Sequence, residues 1–419
     1  MSNIGMSSTI KSIKCGKSDG NMGLYSDHII NGTPKLFNHM VNLYNLMIIH
    51  GVSPSDLLIG TMVPIPKGKR LNLNLSNNFR GICLQSVFCK ILDIVMLHKE
   101  NKSLVTSNSQ FGFKEHLSAS MATAVVSETV DYYTSLGGSV YLLALDATKA
   151  FDRVQFSKLF SVLMERGFNV IYLRLLFNMY VNQSIRVSFN NKKSEYFTVQ
   201  NGVKQGGVLS PTLFTCYIDG MLNELERSGF GCRVGDVYTV SVSYADDLLL
   251  LAPTQKSLRE MVAICERYAC NFRIKFNGTK SQPMVCSKTQ QNENPFITVC
   301  GEVVPNVKSM KYLGHYLTNT VNDPKVESVK RDFVTKINGC LGNFNKSSAF
   351  IRNELFNKYC SSFYGSNLCD LKQVDEISVE WRKSIRRVWK LPYRTHSALL
   401  CHISQLIPPD ITIPQRFVK

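Results

Sequence analysis

The sequence predicts an α+β fold built on a mixed sheet with helices packed on one side. Residues 140–271 run strand, helix, hairpin, helix, hairpin, helix, an order that sets helices against a sheet. Val140–Leu145 and Leu248–Leu251 are nearly unbroken apolar runs, as buried strands are. Beyond about residue 321 the pattern turns helical and basic, which places a domain change near Asn322-Asp323-Pro324.

The elements follow in order. Residues 1–35 are rich in Ser, Gly, Asn and Lys and are expected to wrap loosely on the surface. Leu36, Met40, Leu43 and Met47 recur at helical spacing and Gly51 stops the run, predicting a helix over 35–50. Thr61 to Lys67 is extended, because each proline biases its predecessor toward β. A polar loop follows over 68–78, then an amphipathic helix from Gln85 to His98. Val140 to Asp146 is a buried strand ending in an acid. Lys149 to Gly167 reads as a helix, Ile185 to Val199 as a hairpin turning at Asn190-Asn191, and Pro211 to Arg227 as a helix with proline in its first turn. Tyr244-Ala245-Asp246-Asp247 forms a hairpin tip between two apolar runs, and Leu258 to Asn271 is a helix.

Composition narrows the partners. The 48 Lys and Arg exceed the 31 Asp and Glu, a net charge of +17, which points to a polyanion, most simply nucleic acid. A hydrophobic fraction of 44% against 19% charged residues excludes a disordered chain. The 13 cysteines show no zinc-type spacing and read as buried thiols of a reducing compartment. Met1 to Gly16 has no signal-peptide core, and no run approaches the ~18 apolar residues of a membrane helix. A soluble intracellular protein with no membrane partner is expected. Lys67-Gly68-Lys69-Arg70 leaves the nucleus open beside the cytoplasm. Nothing indicates the oligomeric state.

Two adjacent carboxylates on a hairpin tip are costly unless solvated, paired or used to hold a cation. An ordinary acidic turn explains Asp246-Asp247 taken alone. With Asp146 ending a neighbouring strand, three carboxylates converge. They can hold two divalent ions ~3.5–4 Å apart for phosphoryl chemistry. Oxygen ligands suit Mg²⁺, with Mn²⁺ as the alternative.

Three stretches, in this order, carry a resemblance: Leu142-Leu143-Ala144-Leu145-Asp146-Ala147-Thr148-Lys149-Ala150-Phe151-Asp152, Asn201-Gly202-Val203-Lys204-Gln205-Gly206-Gly207-Val208-Leu209-Ser210-Pro211, and Tyr244-Ala245-Asp246-Asp247. Together they resemble a reverse transcriptase, most closely the non-LTR (LINE-type) retrotransposon enzymes. The resemblance implies a right-hand polymerase, with residues 1–60 extending the fingers, 61–320 forming fingers and palm, and 321–419 a helical basic thumb. It implies an RNA template, a DNA primer and dNTPs as partners. It also implies Asp146, Asp246 and Asp247 as metal ligands.

Phe151 then matches the aromatic that rejects a 2′-hydroxyl, although a lone Phe is usually core. The resemblance puts Gln205, with Gly206, against the incoming nucleotide and template base, a plain Gly-Gly turn being the other reading, and Asp152 is a helix cap or a local hydrogen-bonding group. Arg80, in Asn78-Phe79-Arg80-Gly81-Ile82, and Lys67 are the phosphate-binding candidates of the fingers, with a solvated lysine the other reading of Lys67. Gly81 stands where the family usually has proline. Lys280 matches a lysine placed to protonate pyrophosphate, with plain surface charge the alternative. Met310 to Gly314 resembles a primer-gripping hairpin, with Tyr312 and Leu313 near the primer end. Tyr244 and Ala245 are expected to face the primer terminus.

In Trp381 to Lys390, Trp381, Ile385, Val388 and Trp389 share one helical face and five basic residues occupy the rest. This suits a thumb helix tracking a phosphate backbone and equally a solvated amphipathic helix. Full-length relatives usually carry further domains, so a truncated element is expected, and an inactive nucleic-acid-binding remnant is the competing function. An RNA-synthesising polymerase is the third reading, and Phe151 argues against it.

Overall fold

Four strands lie side by side in the order Gln282–Ser287, Ser139–Asp146, Asp247–Ala252 and Ser241–Tyr244, each neighbour antiparallel. The structure is a computed structural model and describes residues 3–20, 23–68, 71–288, 296–319, 325–366 and 374–416. This sheet is therefore not mixed, and helices cover both of its faces rather than one. Alternation sends Tyr141, Leu143, Leu145, Leu248 and Leu250 into a core shared with helices Ser210–Arg227 and Gln255–Asn271. The intervening Val140, Leu142, Leu249 and Leu251 pack with Ala122 and Val126 of helix Ala119–Ser135. Burial on both faces is why the strands read as continuous apolar runs. Each of these leucines contributes roughly 2 kcal/mol by leaving water.

The mixed sheet is a second one. Ile59–Pro66 pairs antiparallel with Phe79–Leu84 and parallel with Ser184–Phe189. Ser184–Phe189 turns at Asn190 and Asn191, both at positive φ (48° and 61°), into Lys192–Lys193, and also pairs with Phe197–Thr198. Two adjacent residues at positive φ make the tight hairpin turn that asparagine tolerates.

The helix expected over 35–50 spans Pro34–His50, with Thr33 accepting the Leu36 N–H and Gly51 closing it at φ 69°. The other expected helices lie at Val87–Lys99, Ser210–Arg227 and Gln255–Asn271. Helices Ala119–Ser135 and Val170–Val181 were not among the expected elements.

Two further expectations fail. Residues 1–35 do not wrap loosely: helix Asn3–Lys11 buries Met6 and Ile10 in the main core. Nor is Lys149 to Gly167 one helix. Lys149 sits at φ 49°, a 3₁₀ turn spans Phe151–Arg153, and the helix begins only at Phe156. The cause is tertiary pairing, since Gly202 N–H takes the Val154 carbonyl (2.8 Å) and Gln155 bridges Asn201.

The C-terminal helices Lys325–Asn343, Ala349–Tyr359 and Val374–Trp389 enclose their own core around Phe333, Phe356, Trp381 and Ile385. The domain change expected at Asn322-Asp323-Pro324 lies outside the described residues, as do Lys69 and Arg70. The described cysteines are free thiols, most of them buried. Among the described residues, no helix is long and apolar enough to cross a membrane. Trp381 is 1% exposed, so Trp381→Ala should cost about 3–5 kcal/mol in denaturant unfolding followed by circular dichroism.

Candidate active site

The site begins with a strand register. Asp146 and Asp247 stand directly opposite each other in the antiparallel ladder, so their side chains leave the same face of the sheet. Asp246 follows on the two-residue turn between Tyr244 and Asp247. All three carboxylates thus occupy one sheet end. Asp146 is held from its other side as well. Its carbonyl accepts the Asn277 N–H (2.9 Å), and its own N–H donates to Ser281 Oγ (3.3 Å).

A cleft of about 760 Å³ opens over this edge, lined by Asp146, Asp247, Thr279, Lys280, Lys311 and Tyr316 among others. Asp246 and Asp247 are exposed at the surface, yet the surrounding protein impedes their hydration. This desolvation, reinforced by the charge of Asp146, raises the pKa of Asp246. Desolvation and then the charges of Asp246 and Asp146 raise Asp247 to about 6. Arg80 opposes both shifts from the neighbouring strand Phe79–Leu84. Mutual repulsion of this kind is relieved by a divalent cation. Among the described residues, no three acidic, imidazole or thiol groups close into a preformed metal cage. Open carboxylate donors are the set that suits Mg²⁺ arriving with phosphate oxygens and water.

Lys280 lies in the 3₁₀ turn Gly278–Lys280, whose N-cap Asn277 ties it to Asp146. Gly278 makes room there, because a Cβ would fall 2.9 Å from Glu302 Cβ and 3.0 Å from the Val299 carbonyl. Arg80 pairs across the ladder with Ile65, and Gly81 continues the strand opposite Pro64. Replacing proline by glycine therefore leaves the strand carrying Arg80 regular. Lys67 does not join the cleft; its Nζ donates to the Asn77 carbonyl at 2.8 Å.

Phe151, Gln205 and Gly206 form a second, connected group. The Phe151 ring stacks on Phe214 at 4.6 Å and its carbonyl accepts the Val203 N–H. Gln205 Nε2 donates to Asp152 Oδ1 at 2.9 Å, and the Gln205 carbonyl accepts the Cys83 N–H at 2.7 Å. Asp152 is thus a long-range partner of Gln205 and caps no helix. Gly206 has φ 101°, and a Cβ there would sit 3.2 Å from the Cys83 carbonyl. Only glycine takes that conformation without strain.

Two further expectations change. Ala245 does not face outward: it is 6% exposed, at φ 57°, and its N–H donates to Gln110 Oε1 at 3.0 Å. Tyr312 is also buried, its hydroxyl donating to the Val242 carbonyl at 2.8 Å from beneath the sheet. Lys311 and Tyr316 are the exposed side chains of its hairpin. In the C-terminal helix the expected apolar face is buried at Trp381, Ile385 and Val388. Of its five cations, Arg386 donates to the Thr395 carbonyl, Arg387 to Asn338 and Lys383 pairs with Glu380, while Lys383, Arg387 and Lys390 stay exposed.

Gln110 was not singled out from the sequence. Ser109-Gln110-Phe111-Gly112 lies between predicted elements, and its sole local signal is a polar residue followed by Phe and Gly. Its importance depends on contacts 133 and 135 residues away.

Residues 65–317 match the family model described as reverse transcriptase (RNA-dependent DNA polymerase). The chain is 27% identical over 291 residues to the Pol polyprotein of the type-2 retrotransposable element R2DM of Drosophila melanogaster, covering 67% of this chain and 27% of that protein. It is 23% identical over 331 residues to the RNA-directed DNA polymerase from mobile element jockey of Drosophila funebris, covering 74% and 35%. The match therefore spans about a quarter to a third of these relatives. A solved apo telomerase from Candida tropicalis aligns with TM-score 0.47 at 11% identity, covering 91% of this chain and 68% of that one. The resemblance to non-LTR enzymes drawn from the motifs is borne out by the retrotransposon relatives.

The raised pKa of Asp247 has a sign that can be tested. Between the ordinary carboxylate value near 4 and about 6, the folded metal-free protein binds more protons than the unfolded chain. Its contribution to stability is full below that window and is lost as pH rises through it. Asp247→Asn should therefore melt higher than the native protein at pH 8 in EDTA, with the gain shrinking toward pH 5. Melting curves at the two pH values check this, and a gain that does not change with pH contradicts it.

Proposed function

The chain belongs to the reverse transcriptase (RNA-dependent DNA polymerase) family, and we propose that it extends the 3′-hydroxyl of a DNA primer with dNTPs on an RNA template. The observation that carries this reading is the direct register of Asp146 with Asp247 at the end of two buried strands, with Asp246 on the adjoining turn. The family generally uses divalent metal ions. Two Mg²⁺ held by Asp146, Asp246 and Asp247, or Mn²⁺ in their place, would favour ionisation of the attacking hydroxyl and neutralise the leaving pyrophosphate.

The remaining residues bind and orient. Lys280, beside Asp146 and Asp247 in the cleft, supplies positive charge, and a proton, to the departing phosphates. Arg80 offers a bidentate donor to the triphosphate from the strand that leads to Gly206. Gln205, held by Asp152 and by the Cys83 N–H, presents the turn against which the nucleotide and template base rest. Gly206 lets backbone approach them closely. Phe151, fixed by its stack on Phe214, cannot swing away from the sugar and so excludes a 2′-hydroxyl. Lys67 anchors the loop at Asn77 and adds charge at the rim.

Primer extension on an RNA template, with dNTPs and rNTPs in parallel, tests the reading. The native chain should incorporate dNTPs, and Asp246→Ala should lower incorporation roughly 100-fold or more. Equal incorporation by the two proteins would refute the assignment. Phe151→Ala should raise rNTP use relative to dNTP use by about 10-fold or more, the scale on which a packed pocket discriminates.

A further inference from the structure

Behind the Tyr244–Asp247 turn lies a polar side chain shut off from solvent. Gln110 is 0% exposed. Its Oε1 accepts two N–H groups, from Gly112 at 2.8 Å and from Ala245 at 3.0 Å, and its Nε2 donates to Ser243 Oγ at 3.1 Å. Ser243 Oγ then donates to the Ala245 carbonyl at 3.2 Å. Both polar groups of Ala245 are thus bound to one amide, directly on one side and through a hydroxyl on the other. The surrounding backbone adds to the grip: Ser243 N–H donates to the Ser109 carbonyl and Phe111 N–H to the Ser243 carbonyl, each at 2.8 Å. Gly112 makes the approach possible, since a Cβ there would fall 2.6 Å from the Ala245 nitrogen.

The brace is itself anchored. Ser107 N–H donates to Asp219, which pairs with Arg166 at 2.9 Å, and Ser107 and Ser109 donate their hydroxyls to Glu226. Lys114 Nζ donates to the Thr106 carbonyl at 2.9 Å and also to that of Ser107. Asp219 and Glu226 both belong to helix Ser210–Arg227. The strained positive φ of Ala245 is therefore held by a rigid frame rather than by the hairpin alone.

We propose that Gln110 is a positioning residue: through Ala245 it fixes where the Asp246 and Asp247 carboxylates stand relative to Asp146, and so sets affinity for the divalent cation. The inference rests on the reading of those carboxylates as the metal site. An amide fits this role because it alone supplies an acceptor for two N–H groups and a donor to Ser243 from one planar end. Groups that orient metal ligands typically change metal affinity or activity by about 10–100-fold when removed.

The test is titration of the purified full chain with Mn²⁺ by isothermal calorimetry, beside primer extension over a range of Mg²⁺ concentrations. The native protein should bind Mn²⁺ and Asp246→Ala should not; if neither distinguishes itself, the metal-site reading fails before Gln110 is at issue. Given that difference, Gln110→Ala should bind Mn²⁺ about 10-fold more weakly. It should need correspondingly more Mg²⁺ for half-maximal extension, with unchanged affinity for an RNA–DNA duplex. Unchanged Mn²⁺ affinity in a folded Gln110→Ala protein overturns the proposal, and so does a matching loss of duplex binding. If Gln110→Ala does not fold, Ser243→Ala decides, since it removes only the hydroxyl link. A several-fold weaker Mn²⁺ affinity supports the brace, and none refutes it.

Discussion

The molecule turns on the antiparallel pairing of Ser139–Asp146 with Asp247–Ala252. Every residue of that ladder except the acidic pair at its end is apolar, and the two faces bury into separate cores. Burial on both sides fixes the register, because a slip of one residue would exchange the two faces along the whole strand. It would also send Asp146 and Asp247 to opposite sides of the sheet. The leucines that stabilise the strand pair and the carboxylates that strain it are thus parts of one device. Packing holds together charges that would otherwise separate, and the pKa values of Asp246 and Asp247 are raised first by desolvation and then by this crowding.

A second set of contacts ties the other sheet to this one. Cys83 donates to the Gln205 carbonyl three residues beyond Arg80, Gly206 packs on Ile82 and Cys83, and Gln205 reaches Asp152. Further back, the buried carboxylate of Asp93 accepts the backbone N–H groups of Leu209 and Val208, and burial raises its pKa to about 6 despite the charge of Lys204. The turn with Gln205 is therefore held from the strand in front, from the Phe151 turn beside it and from helix Val87–Lys99 behind. Movement of the strand carrying Arg80 would be felt directly at Gln205.

What the sequence revealed and what it hid follow from the range of the forces involved. Asp146, Asp246 and Asp247 were legible because strand ends and turns are local signals, and so were Gly51, Pro211 and Asn190-Asn191. The break within Lys149 to Gly167 was not, because its cause is pairing with Gly202 some 50 residues away. The second covered face went unseen because helix Ala119–Ser135 has no charged contrast strong enough to mark it as a partner of the sheet. Ala245 was expected to face the primer terminus. Its buried N–H, bound to Gln110, shows that backbone geometry governs the position. Gln110 itself carries no pattern, since its role exists only once the chain has folded.

The basic composition also takes on a different meaning. Arg352, 4% exposed, donates to the carbonyls of Val388, Asn345 and Ser347, closing helix ends inside the C-terminal core. Arg386 and Arg387 are engaged by Thr395 and Asn338. Bonds of this kind hold helices together, while Lys383, Arg387 and Lys390 remain exposed at the surface. The charge that a polyanion would meet near the acids instead comes from Lys280 and Lys311 in the cleft and from Arg80 across it. Lys311 is steered outward because its neighbour Tyr312 is pinned beneath Val242, while Tyr364 donates to the Leu313 carbonyl and stacks on His315 at 4.4 Å. The hairpin Ser309–Thr318 is thus clamped between the acidic sheet and the C-terminal helices.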